Sequence, residues 1–377
     1  ASATLPQLVA SRLLQGAGGA MMVPVGRLLL LRSTPKSDLV NAMAWLTMPG
    51  LLGPVLGPPV GGFIITFVSW RWIFVLNLPV GLLGLVLVAK FIEDIRPREN
   101  AHLDLLGLGL CSVALALLVA GFETVGRGIV AAWVTWSLLG TSALLFAIYW
   151  HHMVRTVRPV LEFRLMRLPS FGVAVTAGTL FRFGIGAMPF LLPMTMQLGM
   201  GMSAAASGMI TLANGVGALA MKPVARPVLR RFGFRGTLIV NALLSAFGIA
   251  LCSLFHVGTP VWVLYAVLTV GSFMRSLEFT AFNTLAYADM NARRMSQATS
   301  LYSTVQQVSL TLAIGVGSGA LEVAMHISGH AAPTMADFST AYLVVAGLSV
   351  LAVPLCLTLP RDAGAEVSGH RRRDDAI

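Results

Sequence analysis

The sequence predicts an all-α protein that crosses a membrane many times. Of its 377 residues, 56% are hydrophobic and only 11% are charged, whereas soluble domains carry about 25% charged residues. Long apolar runs recur along the whole chain, and each approaches the roughly 20 residues that a membrane-crossing helix needs. The alternation of period two that is typical of a transmembrane β-barrel is missing. The fold class predicted is therefore a polytopic helical membrane protein.

Eleven stretches are long and apolar enough to cross a membrane. They are residues 7–31, 38–67, 72–92, 103–122, 129–150, 168–196, 203–225, 236–256, 260–285, 297–325 and 339–360. The longer stretches exceed one crossing and are expected to include kinked or interfacial ends.

The basic residues predict the orientation of these crossings. When the ends of the odd-numbered stretches are placed in the cytoplasm, only Arg71 and Arg127 of the 26 Lys and Arg lie outside, and Arg12, Arg182 and Arg275 lie within crossings. Cytoplasmic loops of membrane proteins concentrate Lys and Arg. The net charge of +11 is explained in this way without a nucleic-acid partner.

Several function classes lack their motifs. No Gly-Lys pair occurs, so the phosphate-binding GxxxxGK[ST] loop of an ATP-driven pump is missing, and so is the HExxH motif of a metalloprotease. The three cysteines, Cys111, Cys252 and Cys356, stand singly in apolar runs and have no metal-ligand spacing. We expect neither an enzyme, nor a metal site, nor a bound cofactor. A receptor or scaffold that does not transport remains the non-enzyme alternative to a carrier.

The second stretch contains the pattern GxxxGPxxGG. Its defining residues are Gly53, Gly57, Pro58, Gly61 and Gly62. Glycines four apart allow helix backbones to approach closely in lipid, and prolines within a helix bend it. The alternative to a functional motif is general packing of small residues.

Two polar side chains lie in the first stretch, Arg12 and Gln15. An arginine within a crossing costs about 2.5–3.5 kcal/mol on insertion scales, so it is expected to face a polar interior. The alternative is an arginine that reaches the periplasmic interface.

Three further ionisable residues are predicted at membrane depth. Arg275 and Glu278 are three apart on one helix and are expected to pair, either as a structural pair or as a site for protons or substrate. Arg182 lies among glycines and before Pro189 and Pro193. A helix broken near the midplane is a common way to form a transport site.

Four segments together resemble a known family. Arg12–Ala20, Gly53–Gly62 and Trp70–Gly81 resemble helices four, five and six of the fourteen-helix drug:proton antiporters, the EmrB/QacA branch of the major facilitator superfamily. Gly18–Arg27 is especially similar to the MdtD- and HsrA-type members, and the resemblance continues through Phe282–Leu285.

The resemblance implies an arrangement of the chain in four parts. Residues 1–92 would be helices four to six of the N-terminal half, 93–167 an extra hairpin and linker, 168–360 the six-helix C-terminal half, and 361–377 a cytoplasmic tail. It also implies that three further helices precede residue 1. The resemblance makes residues 226–235 a basic cytoplasmic loop of the C-terminal half. In this loop Arg230 stands where the family pattern has Asp, so the expected acid is missing.

The resemblance also implies a function. The expected protein is an antiporter of the bacterial inner membrane that exports small lipophilic or cationic compounds and uses the proton gradient as its energy source. Its expected coupling residues are Arg12, Gln15, Arg182, Arg275, Glu278 and Asn283. A periplasmic adaptor protein is an expected partner. Export of a siderophore or metabolite is the alternative within the class.

Overall fold

The computed structural model describes residues 4–46, 53, 57, 60, 64, 67, 69, 71–92, 104–124, 130–157, 159–291 and 294–370. All secondary structure in these residues is helical, and they contain no strand. The predicted all-α fold is confirmed.

The described residues form the following α-helices in chain order. They are α1 Leu5–Ser33, α2 at residues 39–46, α3 Trp72–Val75, α4 Asn77–Phe91, α5 Leu105–Thr124, α6 Ala132–Arg155, α7 Pro169–Met194, α8 Ala204–Ala220, α9 Ala225–Leu251, α10 Val261–Ala288, α11 Met295–Ser328, α12 Met335–Val350, α13 Ala352–Leu357 and α14 Ala365–Ser368. A π-helical turn, Thr195–Gly199, extends α7.

Nine apolar segments of the described residues are long enough to cross a membrane. One of them, Ala205–Leu254, has 50 residues, about 75 Å of helix against a hydrocarbon thickness of about 30 Å. The chain breaks within it at a 3₁₀ turn, Lys222–Val224, and at Gly233, where φ is 67°. The segment therefore contains the two crossings predicted at 203–225 and 236–256. The crossing predicted at 38–67 lies largely outside the described residues.

The helices from α7 to α12 form one packed unit. Helix α7 packs on α10, α11 and α12, while α10 also packs on α8 and α9. Glycines permit the closest crossings: a Cβ at Gly217 of α8 would overlap the Thr269 carbonyl oxygen of α10, and one at Gly186 of α7 would overlap Ala313 of α11. Small residues at helix crossings replace the hydrophobic driving force that is absent in lipid.

Helices α5 and α6 form a hairpin against α11. The Ser142 hydroxyl donates to the Ala114 carbonyl at 2.8 Å, and His152 and Asp104 lie 2.9 Å apart at the open end of the hairpin. Tyr149 bonds both the N–H and the carbonyl of Leu161, which fixes the linker to α6.

Helix α1 meets α11 of the packed unit through Arg27, which lies in its last two turns. Ion pairs join the turn after α1 to the unit: Asp38 lies 3.2 Å from Arg226, and Lys36 lies 2.7 Å from Glu366. Lys36, Arg226 and Glu366 were predicted to be cytoplasmic, whereas Asp38 was predicted to begin the second crossing. The fold brings Asp38 to Arg226 and Lys36 to Glu366. No residue of α3 or α4 is buried.

Candidate functional site

A buried arginine of α7 lies at the centre of the candidate site. Only 1% of the Arg182 surface is exposed, and its Nη2 donates to the Tyr302 hydroxyl of α11 at 2.5 Å. The guanidinium carbon is 5.0 Å from the centroid of the same ring. Gly178, one turn before Arg182 on α7, leaves room for the guanidinium group, because a Cβ there would approach Nη1 to 3.2 Å.

A second arginine reaches Tyr302 from α1. Arg27 is 4% exposed, with Nη1 3.3 Å from the Ser303 hydroxyl and Nη2 3.0 Å from Gln306 Oε1. Its guanidinium carbon lies 5.7 Å from the Tyr302 ring centroid. The charge distribution had assigned Arg27 to the cytoplasmic residues. The membrane side of Arg27 stays a prediction, and the structure adds that polar side chains of α11 accept its hydrogen bonds inside the protein.

The two guanidinium groups keep several donors without partners. Arg27 Nε, Arg182 Nε and Nη1, and the Tyr287 hydroxyl are buried and form no hydrogen bond within the described residues. Tyr287 packs edge-on against Tyr302 with ring centroids 5.7 Å apart. Neither arginine forms an ion pair with a carboxylate of the described chain. The cluster is therefore cationic and rich in donors.

Arg275 and Glu278 do not pair, which corrects the prediction from their spacing. Arg275 Nη2 donates to Asn214 Oδ1 of α8 at 2.9 Å, and Glu278 Oε2 accepts from Asn241 Nδ2 of α9 at 3.1 Å. Residues three apart on a helix can meet. Here the neighbouring helices on either side offer amide partners, and each side chain turns to its own.

Glu278 is the acidic residue at the centre of the packed unit. None of its surface is exposed, and its Oε1 has no hydrogen-bond partner in the described part of the chain. Asn241 is held in place by a second bond, from Nδ2 to the Met274 carbonyl at 2.7 Å. A carboxyl group in these surroundings has a high desolvation penalty when ionised, so binding a proton lowers its free energy.

Asn283 lies on α10 beyond Glu278 and is fully buried. Its Nδ2 donates to the Phe279 carbonyl of its own helix at 2.7 Å, while Oδ1 has no partner in the described residues. The bond to its own helix fixes the side chain, and the free oxygen can still accept a hydrogen bond.

Arg12 and Gln15 meet each other but none of the other candidates. Arg12 Nη1 donates to Gln15 Oε1 at 2.7 Å, and its guanidinium carbon lies 4.4 Å above the Phe74 ring. Both α1 residues are exposed. Their coupling role stays a prediction.

The glycine motif is described only in part. Gly53 and Gly57 are helical, and a Cβ on either would meet no described atom within 4 Å. Pro58, Gly61 and Gly62 lie outside the described residues. The close helix packing predicted for this motif stays a prediction.

His330 lies in the turn before α12. His330 Nδ1 lies 2.9 Å from Asp337 Oδ2, an arrangement that caps the helix together with Thr334. Among the described residues, no three His, Cys, Asp or Glu side chains converge to hold a metal ion.

The sequence reasoning missed the α11 face of the candidate site. Tyr302, Ser303 and Gln306 are polar residues close together on α11, with Tyr302 and Gln306 four residues apart. Residues at this spacing share one face of a helix. This pattern could have identified α11 as the partner of a buried cation.

The chain was compared with known proteins. Residues 1–314 match the family model described as Major Facilitator Superfamily. A multidrug resistance protein MdtD of Serratia proteamaculans is 35% identical over 84% of the chain and 66% of its own length. Proteins of the same name from Pectobacterium atrosepticum and Salmonella typhimurium are 32% and 31% identical, over 96% and 99% of the chain. The chain spans 78% and 79% of their lengths.

Proposed function

The chain belongs to the major facilitator superfamily, and on this premise we propose that it is a proton-coupled antiporter that exports small lipophilic or cationic compounds. It is a multi-pass transporter of the bacterial inner membrane. The names of its relatives, multidrug resistance proteins, support cargo of this kind. In this proposal the proton gradient supplies the energy without a bound cofactor, and a periplasmic adaptor receives the cargo.

The proposal includes an arrangement in two halves. Helices α7 to α12 would form the C-terminal half, α1 to α4 would belong to the other, and the α5–α6 hairpin would be an insertion between them. Alternating access requires the two halves to rock around a site between them. The contact of α1 with α11 supports a moving interface at this position.

One observation carries the coupling proposal, the buried carboxyl of Glu278. It has one amide partner, Asn241, and no cationic partner in the described residues. Ionisable residues at membrane depth commonly form proton pathways. In this mechanism, Glu278 binds a proton when the carboxyl group is accessible from the periplasm. Glu278 releases the proton when water from the cytoplasm reaches the carboxyl group.

The proposal predicts that Glu278→Gln uncouples export from the pH gradient. The amide cannot release a proton, while it can still accept the hydrogen bond from Asn241. The measurement is efflux of a fluorescent lipophilic dye from proteoliposomes with and without an imposed pH gradient. We expect gradient-dependent efflux to be lost.

Glu322→Gln is the matched control, because Glu322 is exposed on α11. It is expected to transport normally. Normal gradient dependence in Glu278→Gln, with only a lowered melting temperature, would make Glu278 a structural residue and overturn the coupling proposal.

A further inference from the structure

We propose that Arg27, Arg182, Tyr287 and Tyr302 form a binding site for the carboxylate group of a small organic anion. The site lies between α1 and the packed unit, lined by α1, α7, α10 and α11. The inference goes beyond the proposed export function and does not depend on it. The binding site itself is argued from the geometry of the four side chains.

The site has more buried donors than partners for them. Arg27 Nε, Arg182 Nε, Arg182 Nη1 and the Tyr287 hydroxyl are buried without partners in the described residues. The Tyr302 hydroxyl accepts from Arg182, so its own proton is available to another acceptor. A buried donor without a partner costs about 1–3 kcal/mol, and more when it is charged. A bound acceptor with several lone pairs would relieve these losses together.

The charge of the site also requires an anion. Two guanidinium groups lie 5.0 and 5.7 Å from the centroid of one ring, and no described carboxylate pairs with either. The electron-rich face of Tyr302 compensates a cation only in part. Like charges in a medium of low dielectric constant repel strongly. One negative charge between them turns this repulsion into two attractions.

The chemistry of the lining favours an organic carboxylate. Guanidinium groups bind the oxygens of carboxylates and phosphates through charge-assisted hydrogen bonds. The Tyr287 and Tyr302 rings lie at 5.7 Å with edge-on geometry and form the buried apolar part of the lining beside those donors. A flat ring that carries a carboxylate uses both features, whereas chloride or inorganic phosphate uses only the donors.

The position of the site gives the anion a structural effect. Arg27 lies near the end of α1 that leads to the cytoplasmic turn, and Tyr302 lies near the start of α11. An anion held by Arg27 and by Arg182 joins α1 to the packed unit. Its binding is therefore expected to stabilise the closed arrangement of these helices on the cytoplasmic side.

Ligand-induced stabilisation of the purified protein in detergent tests the proposal. The probe is benzoate, with benzamide as a neutral molecule of the same shape. Benzoate is expected to raise the melting temperature in a saturable manner, while benzamide leaves it unchanged. Arg27→Gln and Arg182→Gln are each expected to weaken benzoate binding by about tenfold or more, the scale of a lost charge-assisted bond.

Arg164→Gln is the control, since Arg164 lies in the linker between α6 and α7 and its partner there is Glu162. It is expected to bind benzoate as the native protein does. If an arginine variant does not fold, Tyr287→Phe provides the second test. It removes one hydroxyl donor, retains the ring, and is expected to weaken binding several-fold.

Three results would overturn the proposal: no benzoate effect on the folded protein, undiminished binding in Arg27→Gln or Tyr287→Phe, or an equal effect of chloride or phosphate at the same concentration. Binding is measured without a pH gradient, so it is separate from the export assay. Benzoate binding without dye export would reject the export function and keep the site.

Discussion

The packed unit of α7 to α12 and the α1–α4 region are both apolar, yet they differ in burial. In the most apolar part of Pro169–Gly199, 61% of the residues are buried, whereas none is buried in that of Trp72–Phe91. The second segment has the higher mean hydropathy of the two. In lipid, apolar surface gains little by leaving the hydrocarbon, so small residues and hydrogen bonds decide which helices associate.

The packed unit and the α1–α4 region also differ in the hydrogen bonds of their polar residues. Arg182, Glu278 and Asn241 of the packed unit bond across helices, while Arg12 bonds within α1. Arg27 is the buried residue of α1 that crosses to the packed unit. Polar contacts between helices therefore accompany close packing, and the α1–α4 region has few of them among the described residues.

The largest effect is expected from filling a close helix crossing. Gly217→Leu would place a side chain against the Thr269 carbonyl and Ser272 of α10, and should lower the free energy of unfolding by about 3 kcal/mol. Gly81→Leu on α4, where no described atom is within 4 Å, should be nearly neutral. Thermal unfolding in detergent measures both. Equal losses in the two variants would mean that α4 is packed as closely as α8.

A smaller effect is expected from removing a buried amide. Asn241→Ala leaves Glu278 without its hydrogen bond and should cost about 2 kcal/mol. Asn77 is the matched residue in α4, where it is exposed and donates a long hydrogen bond of 3.5 Å to the Ile73 carbonyl of α3.

Asn77→Ala is expected to change stability by less than about 0.5 kcal/mol. Denaturant titration followed by circular dichroism compares the two variants. If Asn241→Ala leaves the free energy of unfolding unchanged, water replaces the amide as the partner of Glu278. The interior of the packed unit would then be accessible to water despite its burial.

The smallest effect on stability is expected in the α5–α6 hairpin, which belongs neither to the packed unit nor to the α1–α4 region. Burial alone raises the pKa of Asp104, but hydrogen bonds from the Gly107 N–H and from His152 outweigh it and hold the pKa below its ordinary value of 3.8. The contribution of the Asp104 carboxylate to the free energy of unfolding is therefore complete above pH 3.8. It is lost as the pH falls through the lower pKa of Asp104 in the folded state.

Asp104→Ala should thus cost about 1 kcal/mol at pH 7, as other helix caps do, and less below pH 3.8. Melting temperatures of both proteins between pH 7 and 3 measure the difference. Asp38→Ala, in an exposed pair, is the control. A difference that does not change with pH would exclude the carboxylate as its source.

Much of the fold could be predicted because a crossing helix has to satisfy its own backbone over the thickness of the membrane. The stretches at 260–285 and 297–325 agree with Val261–Ala288 and Met295–Ser328 to within a turn. The 3₁₀ turn at Lys222–Val224 separates two crossings where the sequence placed a basic loop. The family followed from Arg12–Ala20, Gly53–Gly62 and Trp70–Gly81.

Composition and spacing along single segments were enough to predict the helices and the family, and to find polar residues such as Arg182 and Glu278 within apolar segments. Only the tertiary structure decided their partners: Arg275 bonds Asn214 rather than Glu278, and Arg27 turns inward to α11. Local spacing defines which side chains can meet. A buried charge, however, takes the partner that best replaces its lost water, and that partner lies on a helix distant in sequence.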